Sequence, residues 1–119
     1  DIRMRVCHAD GALSPAQQRR IVEFIDTHLA SSLDLKMMAD SLGLSPCLFA
    51  RKFRSSFGRP PYAFVTARRM ERAQRLLAET DAPIKTVALD CGFSDQAHLT
   101  RMFRVATGKT PAVFRRQAR

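Results

Sequence analysis

One stretch of the chain occurs twice. Residues 39–64, ADSLGLSPCLFARKFRSSFGRPPYAF, align with residues 88–114, ALDCGFSDQAHLTRMFRVATGKTPAVF, once one extra residue is allowed in the second turn. Ala39 matches Ala88, Gly43 matches Gly92, Phe49 matches Leu99, and Phe53 matches Phe103. Arg51 with Arg101, Arg54 with Arg104, Gly58 with Gly108, Pro61 with Pro111 and Phe64 with Phe114 continue the series. Each copy has a helix, a glycine turn, a second helix, a glycine stop and a proline restart, which is the pattern of a repeated helix-turn-helix unit.

The second copy shows how its second helix is bounded and faced. Asp95 is placed to cap it through its carboxylate, and Gly108 to end it in a left-handed conformation. Leu99, Met102, Phe103 and Ala106 stand at i, i+3, i+4 and i+7, so they are expected on one buried stripe. Ala97, Thr100, Arg101 and Arg104 then point outward. Hydrogen-bonding residues followed by arginines suit a DNA major groove, where base edges take donors and phosphates take cations. In the first copy Ser45-Pro46 starts the corresponding helix, and Cys47, Ala50, Arg51 and Arg54 occupy the outward positions.

The rest of the chain supports these two units. Ser14-Pro15 starts a helix with Ile21, Val22, Phe24, Ile25 and Leu29 on its apolar side. Asp34 is a cap for Leu35–Ser41, with Leu35, Met38, Ala39 and Leu42 placed for burial. Phe64, Ala67, Met70, Ala73 and Leu77 mark a connecting helix over residues 61–80, about 30 Å long, close to one turn of B-DNA. Its Glu71, Arg75 and Glu79 form an i,i+4 ladder. Ile84, Val87, Ala88 and Cys91 line the helix before the second turn, with Cys91 as a small buried hydrophobe. After Thr110-Pro111 a last short helix turns Val113 and Phe114 inward, and Arg115, Arg116 and Arg119 form a basic tail.

The expected fold is therefore all-α: about seven helices in two helix-turn-helix subdomains, 14–60 and 81–119, joined by the long helix 61–80. Residues 1–13 read as a linker or arm, from which Arg3 and Arg5 could reach DNA or simply stay solvated. Each repeat alone, at about fifty residues, would be marginally stable, so the pair is expected to act as one body.

Composition narrows the function. The chain has 20 lysines and arginines against 11 acids, a net charge of +9. The excess is +3 in residues 1–60 and +6 in residues 61–119. Such a surplus favours a polyanion, most often nucleic acid. No segment approaches the roughly twenty apolar residues of a membrane span. Cys7, Cys47 and Cys91 are odd in number and far apart, which argues against a disulfide framework and fits a reducing cytoplasm. His8 beside Cys7 has no second pair to complete a metal site. His8, His28 and His98 fall in separate elements without paired carboxylates, so no catalytic, metal or cofactor site is expected.

Gly92-Phe93-Ser94-Asp95-Gln96, then Leu99, Arg101, Phe103 and Arg104, then Gly108-Lys109-Thr110-Pro111 and Arg115 resemble the signature of the AraC/XylS family. The resemblance runs back through Arg69-Met70-Glu71-Arg72-Ala73 and Leu76-Leu77 to Ser45-Pro46 and the Leu35–Leu44 region, covering roughly residues 18–116. It implies the DNA-binding domain of a bacterial transcription regulator, with two recognition helices in successive major grooves and a sensor domain joined at the N-terminal arm. For Arg69 it implies a structural or backbone-facing role. Wheel position and resemblance together nominate Gln96, Ala97, His98, Thr100 and Arg101 to read one box, and Cys47, Leu48, Ala50 and Arg51 the other. Lys52, Arg54, Arg104 and Lys109 are the phosphate candidates.

The first copy departs from the pattern at Lys52, which stands where the second has Met102. With Cys47 and Ala50 poor in hydrogen bonding, Arg51 is its main base-reading donor, and the first unit is expected to be less selective. Cys47 lies near a helix N-terminus and Arg51, both of which favour a thiolate, but a redox role would need an exposed thiol. A different class of function stays open beside DNA binding: a helical module that contacts a protein such as RNA polymerase while its basic face is solvated. Both activities can coexist in an activator.

Overall fold

A computed structural model describes residues 11–119 of the protein. Seven α-helices and no strand occur among these residues: α1 Pro15–Thr27, α2 Leu35–Ser41, α3 Pro46–Phe57, α4 Pro61–Glu79, α5 Ile84–Asp90, α6 Gln96–Thr107 and α7 Pro111–Ala118. Arg3, Arg5, Cys7 and His8 lie outside the described residues.

The helix starts are written locally. Ser14, Ser45 and Thr110 each precede a proline at the first helical position, and their hydroxyls accept from the N–H groups of Gln17 (3.1 Å), Leu48 (3.2 Å) and Val113 (3.2 Å). Asp34 and Asp95 do the same with carboxylates, accepting from Met37 N–H at 2.8 Å and His98 N–H at 2.7 Å. Each such cap is worth about 1 kcal/mol. At α1 the cap is reciprocal, because the Gln17 amide oxygen accepts the Ser14 N–H at 2.9 Å. The helices α3 and α6 both stop at a left-handed glycine, Gly58 (φ 76°) and Gly108 (φ 77°). The N–H of each donates at 2.8 Å to the carbonyl of Arg54 or Arg104.

The chain divides into two compact units, one of residues 11–28 and Ser32–Thr66, the other of Leu29–Ser31 and Ala67–Arg119. The first holds α1, α2, α3 and the start of α4. Its core contains Ile21 and Ile25 of α1, Met38 and Ala39 of α2, Phe49 and Phe53 of α3, and Phe64 and Val65 of α4. Phe53 is the hub of an aromatic cluster, 5.4 Å edge-on to Phe64 and 4.4 Å from Phe57 between ring centres. The Arg59 guanidinium sits 5.3 Å over the Phe64 ring, a cation–π contact.

In the second unit the remainder of α4 contributes Met70, Ala73 and Leu77 to a core completed by Val87, Ala88, Cys91, Phe93, Leu99 and Phe103. Phe114 of α7 closes it, edge-on to Phe103 at 5.2 Å. Burying one such aromatic side chain contributes about 3–5 kcal/mol as judged by truncation.

Four expectations change in detail. Leu35 is 38% exposed, because it is the first residue of α2 and its side chain lies outside the packed stripe. Ala106 is exposed, and Thr107 is the half-buried residue of the last α6 turn, so the stripe continues at four-residue steps from Leu99 and Phe103. Glu71 pairs with Arg68 at 3.5 Å, one turn back, instead of beginning a ladder with Arg75. Cys47 is disulfide-bonded, against the expectation drawn from the odd number of cysteines. Cys91, buried in the second core, is free.

Candidate nucleic-acid interface

The helices α3 and α6 each have 12 residues, and a residue-by-residue comparison shows the same order of exposure along both. Position by position, buried, half-buried and exposed residues coincide throughout except at the pair Ser56 and Ala106. Phe49 and Leu99, then Phe53 and Phe103, are buried; Cys47 and Ala97, then Arg51 and Arg101, then Arg54 and Arg104, are exposed. The repeat seen in the sequence is thus a repeat of environment. Its cause is the shared spacing between a side-chain cap and a left-handed glycine, which fixes the rotation of every residue between them.

Within α6 the structure brings the five nominated residues onto adjoining turns. Gln96, Ala97 and Arg101 are exposed, and His98 and Thr100 are half-buried beside Leu99. Asp95 caps the start, so the N-terminal end of α6 combines a formed cap with exposed donors. Arg104 lies in the last turn, where a cation is favoured by the carbonyl end of the helix, and Lys109 follows the glycine, exposed.

Within α3 Cys47 and Arg51 are exposed, and Leu48 and Ala50 half-buried. Lys52 is half-buried, as Met102 is in α6, which a lysine can accept by burying its aliphatic stem and keeping its ammonium in water. An open hollow of about 550 Å³ runs beside this helix, lined by Ala50, Arg51, Arg54, Ser55, Pro60 and Pro61. Its two arginines make it a place where an anion would be welcome. Because Cys47 is held in a disulfide, its thiol is not a hydrogen-bond donor in this structure.

Other cations are committed to the fold. Arg69 donates from Nε to the Leu29 carbonyl at 3.1 Å and from its terminal nitrogen to the Ser31 carbonyl at 2.8 Å. This is the backbone-facing role expected for it, and burial lowers the pKa of the guanidinium. Of the basic tail, Arg115 donates from Nε to the Leu77 carbonyl at 3.0 Å, while Arg119 donates to the Thr80 carbonyl at 3.0 Å and pairs with Asp81 at 2.5 Å. Arg115 and Arg119 therefore tie the last helix to the end of α4; Arg116 is exposed.

Sequence reasoning missed one contact at the site itself. The Nδ1 atom of His98 accepts the Ser94 backbone N–H at 3.2 Å, and the Ser94 hydroxyl lies 3.1 Å from the same nitrogen. The signal was partial: His98 stands three residues after the capping aspartate, where a capping box has glutamate or glutamine, but its bond goes to the Ser94 N–H and not to that of Asp95.

Among the described residues no group of histidine, cysteine and carboxylate side chains could hold a metal ion, and no helix is long and apolar enough to cross a membrane.

Two tandem helix-turn-helix units that each carry an exposed, arginine-bearing second helix define a class of DNA-binding domain. Residues 38–117 match the model of a helix-turn-helix domain family. Over 108 residues the chain is 34% identical to the arabinose operon regulatory protein of Escherichia coli K12, covering 87% of this chain and 37% of that protein. The chain thus spans little more than a third of that relative's length. Among solved structures it is similar to the DNA-binding domain of AdpA, a global transcriptional factor crystallised with a target DNA. There the TM-score is 0.77 and the identity 33%, with 82% of this chain and 87% of that one covered. It is similar also to the C-terminal domain of AraT, a response regulator from Geobacillus stearothermophilus, with TM-score 0.80, 31% identity and coverage of 88% and 87%. The chain belongs to the AraC/XylS family of helix-turn-helix DNA-binding domains.

Proposed function

We propose that this domain binds duplex DNA sequence-specifically by placing α3 and α6 in major grooves, each reading one short box. The observation that carries the reading is the matched exposure of the two helices, which presents Arg51 and Arg101 at the same helical position. Gln96, Ala97, His98, Thr100 and Arg101 read one box, with Arg101 able to donate two hydrogen bonds to a guanine edge. Leu48, Ala50 and Arg51 read the other. Cys47 belongs to the same face but contributes contact area, not a thiol, while its disulfide is intact.

Arg54, Arg104 and Lys109, with the head of Lys52, take phosphates and supply the salt-dependent part of the affinity. The domain organisation in this reading is a first helix-turn-helix subdomain over 14–60, a connecting helix over 61–80 and a second subdomain over 81–119, preceded by an arm. A sensor domain on the same polypeptide, contact with RNA polymerase during activation, and work in the bacterial cytoplasm at the nucleoid complete the proposal.

Selection of preferred sites from a random duplex pool tests it, followed by titration of the winner and a scrambled duplex across a salt series. Two boxes about one helical turn apart, bound at least a thousandfold more tightly than the scramble, are expected. A single box would restrict reading to one unit. Equal binding of all duplexes with one steep salt slope would overturn sequence reading and leave a general polyanion binder.

A further inference from the structure

The start of α6 differs chemically from the other helix starts among the described residues. At α1 the reciprocal cap is completed by an amide, Gln17, which does not titrate. At α3 the equivalent residue is Leu48, which has no polar atom to reach back with. At α6 the Asp95 carboxylate accepts the His98 N–H, and an imidazole reaches one residue further back, His98 Nδ1 accepting the N–H of Ser94 instead of that of the cap itself. The Phe93 ring, buried in the core, meets the imidazole edge-on at 5.4 Å between centres.

A neutral imidazole has one acceptor nitrogen, and here the backbone N–H of Ser94 requires that it be Nδ1, leaving the proton on Nε2. Uptake of a second proton turns Nδ1 into a donor. The Ser94 hydroxyl can then change from donor to acceptor, but the backbone N–H has no such freedom and loses its partner.

Histidine changes charge between about pH 5 and 8. The charged residues next to His98 on its own segment are Asp95 and Arg101; the helices packed against α6 carry Lys85 and Asp90 on α5 and Arg115 and Arg116 on α7, of which Arg115 is engaged by the Leu77 carbonyl.

We propose that His98 is a proton-sensitive clasp on the turn into α6: neutral, it fixes the turn that aims Gln96, Ala97 and Arg101; protonated, it releases that turn while adding a positive charge. This rests on the DNA-reading function proposed above. Acidification should then raise affinity for any duplex and lower the preference for the selected one.

The test uses the 119-residue chain and its His98→Asn variant, whose side-chain oxygen can stand where Nδ1 stands but does not titrate. Between pH 8 and 5.5 the ratio of selected to scrambled affinity should fall about fivefold in the unmodified chain, the worth of one hydrogen bond, and stay level in the variant whatever its affinity at pH 8. In the same range, without DNA, the amide resonance of Ser94 should move with the titration of the His98 ring. A ratio with the same pH course in both proteins, or a Ser94 amide indifferent to the ring, overturns the clasp. If no duplex is preferred even at pH 8, the reading of DNA has failed, and the Ser94 amide alone decides whether the clasp exists.

Discussion

Gly92 and Leu29 stand so close that a side chain on the glycine would overlap the Leu29 carbonyl oxygen. The same added carbon would lie 2.6 Å from Nε of Arg69, whose guanidinium donates to that carbonyl. The turn of the second helix-turn-helix is thereby pressed against the segment that follows α1. Gly43, its partner in the repeat, also has a positive φ, 67°, but nothing lies within 4 Å of a carbon added there.

The two glycines should therefore respond differently to alanine. Gly43→Ala bears only the left-handed backbone, about 1 kcal/mol. Gly92→Ala adds an overlap with backbone, for a loss of at least about 3 kcal/mol. Denaturant midpoints of the two variants measure the difference; equal losses would mean that the Leu29 segment yields without resistance.

Arg69 is not interchangeable with lysine here. Its planar fork reaches two carbonyls at once, those of Leu29 and Ser31, and an ammonium cannot reproduce that geometry. Arg69→Lys should cost about 1–3 kcal/mol of stability through the carbonyl left unpaired. Thermal unfolding checks this, and DNA specificity measured well below the transition should be unchanged, since the residue faces backbone and not solvent.

Substitutions on the outer faces should sort into two kinds. Arg101→Ala should cost roughly 1–3 kcal/mol on the selected duplex and relax preference at one base pair. Arg104→Ala should weaken all duplexes alike and reduce the salt slope by about 1. Parallel titrations on matched and single-mismatch duplexes separate the two; a uniform loss from Arg101→Ala would reassign that residue to phosphate.

The thiols should be distinguishable by chemistry. Burial pushes the Cys91 pKa up to about 11 from 9.0, with Asp90 assisting and Arg72 and Arg75 opposing. Its thiol should resist alkylation at pH 8 in the folded chain and react on unfolding. After reduction the exposed Cys47 should be alkylated first. The folded state holds the Cys91 proton more tightly than the unfolded one, so this contribution to stability is complete below pH 9 and lost as pH rises through 11. A stability profile flat from pH 8.5 to 11 would contradict it.

The sequence carried most of the fold because most of its signals are local. Caps at Ser14, Asp34, Ser45, Asp95 and Thr110 and stops at Gly58 and Gly108 need only neighbouring residues, and every one formed. What depended on tertiary placement was less legible. Nothing near Arg115 or Arg119 in the chain announces that they reach carbonyls of Leu77 and Thr80, some forty residues back. The exposure of Ala97, Arg101 and Arg104 on α6 followed from periodicity, whereas Thr100 is half-buried and Ala106 exposed, and the His98 contact was not legible because the usual residue in that position is a glutamate or glutamine. Cysteine number alone did not foretell that Cys47 would be bonded and Cys91 free.

The matched bounds of α3 and α6 make them exchangeable parts. If each helix reads one box, as proposed, a face could be transplanted from one helix to the other by copying its exposed residues, since both present them at the same rotation between the same kinds of stop. On that reading the domain would acquire a new operator one half at a time, keeping the old grip while the other half is rewritten.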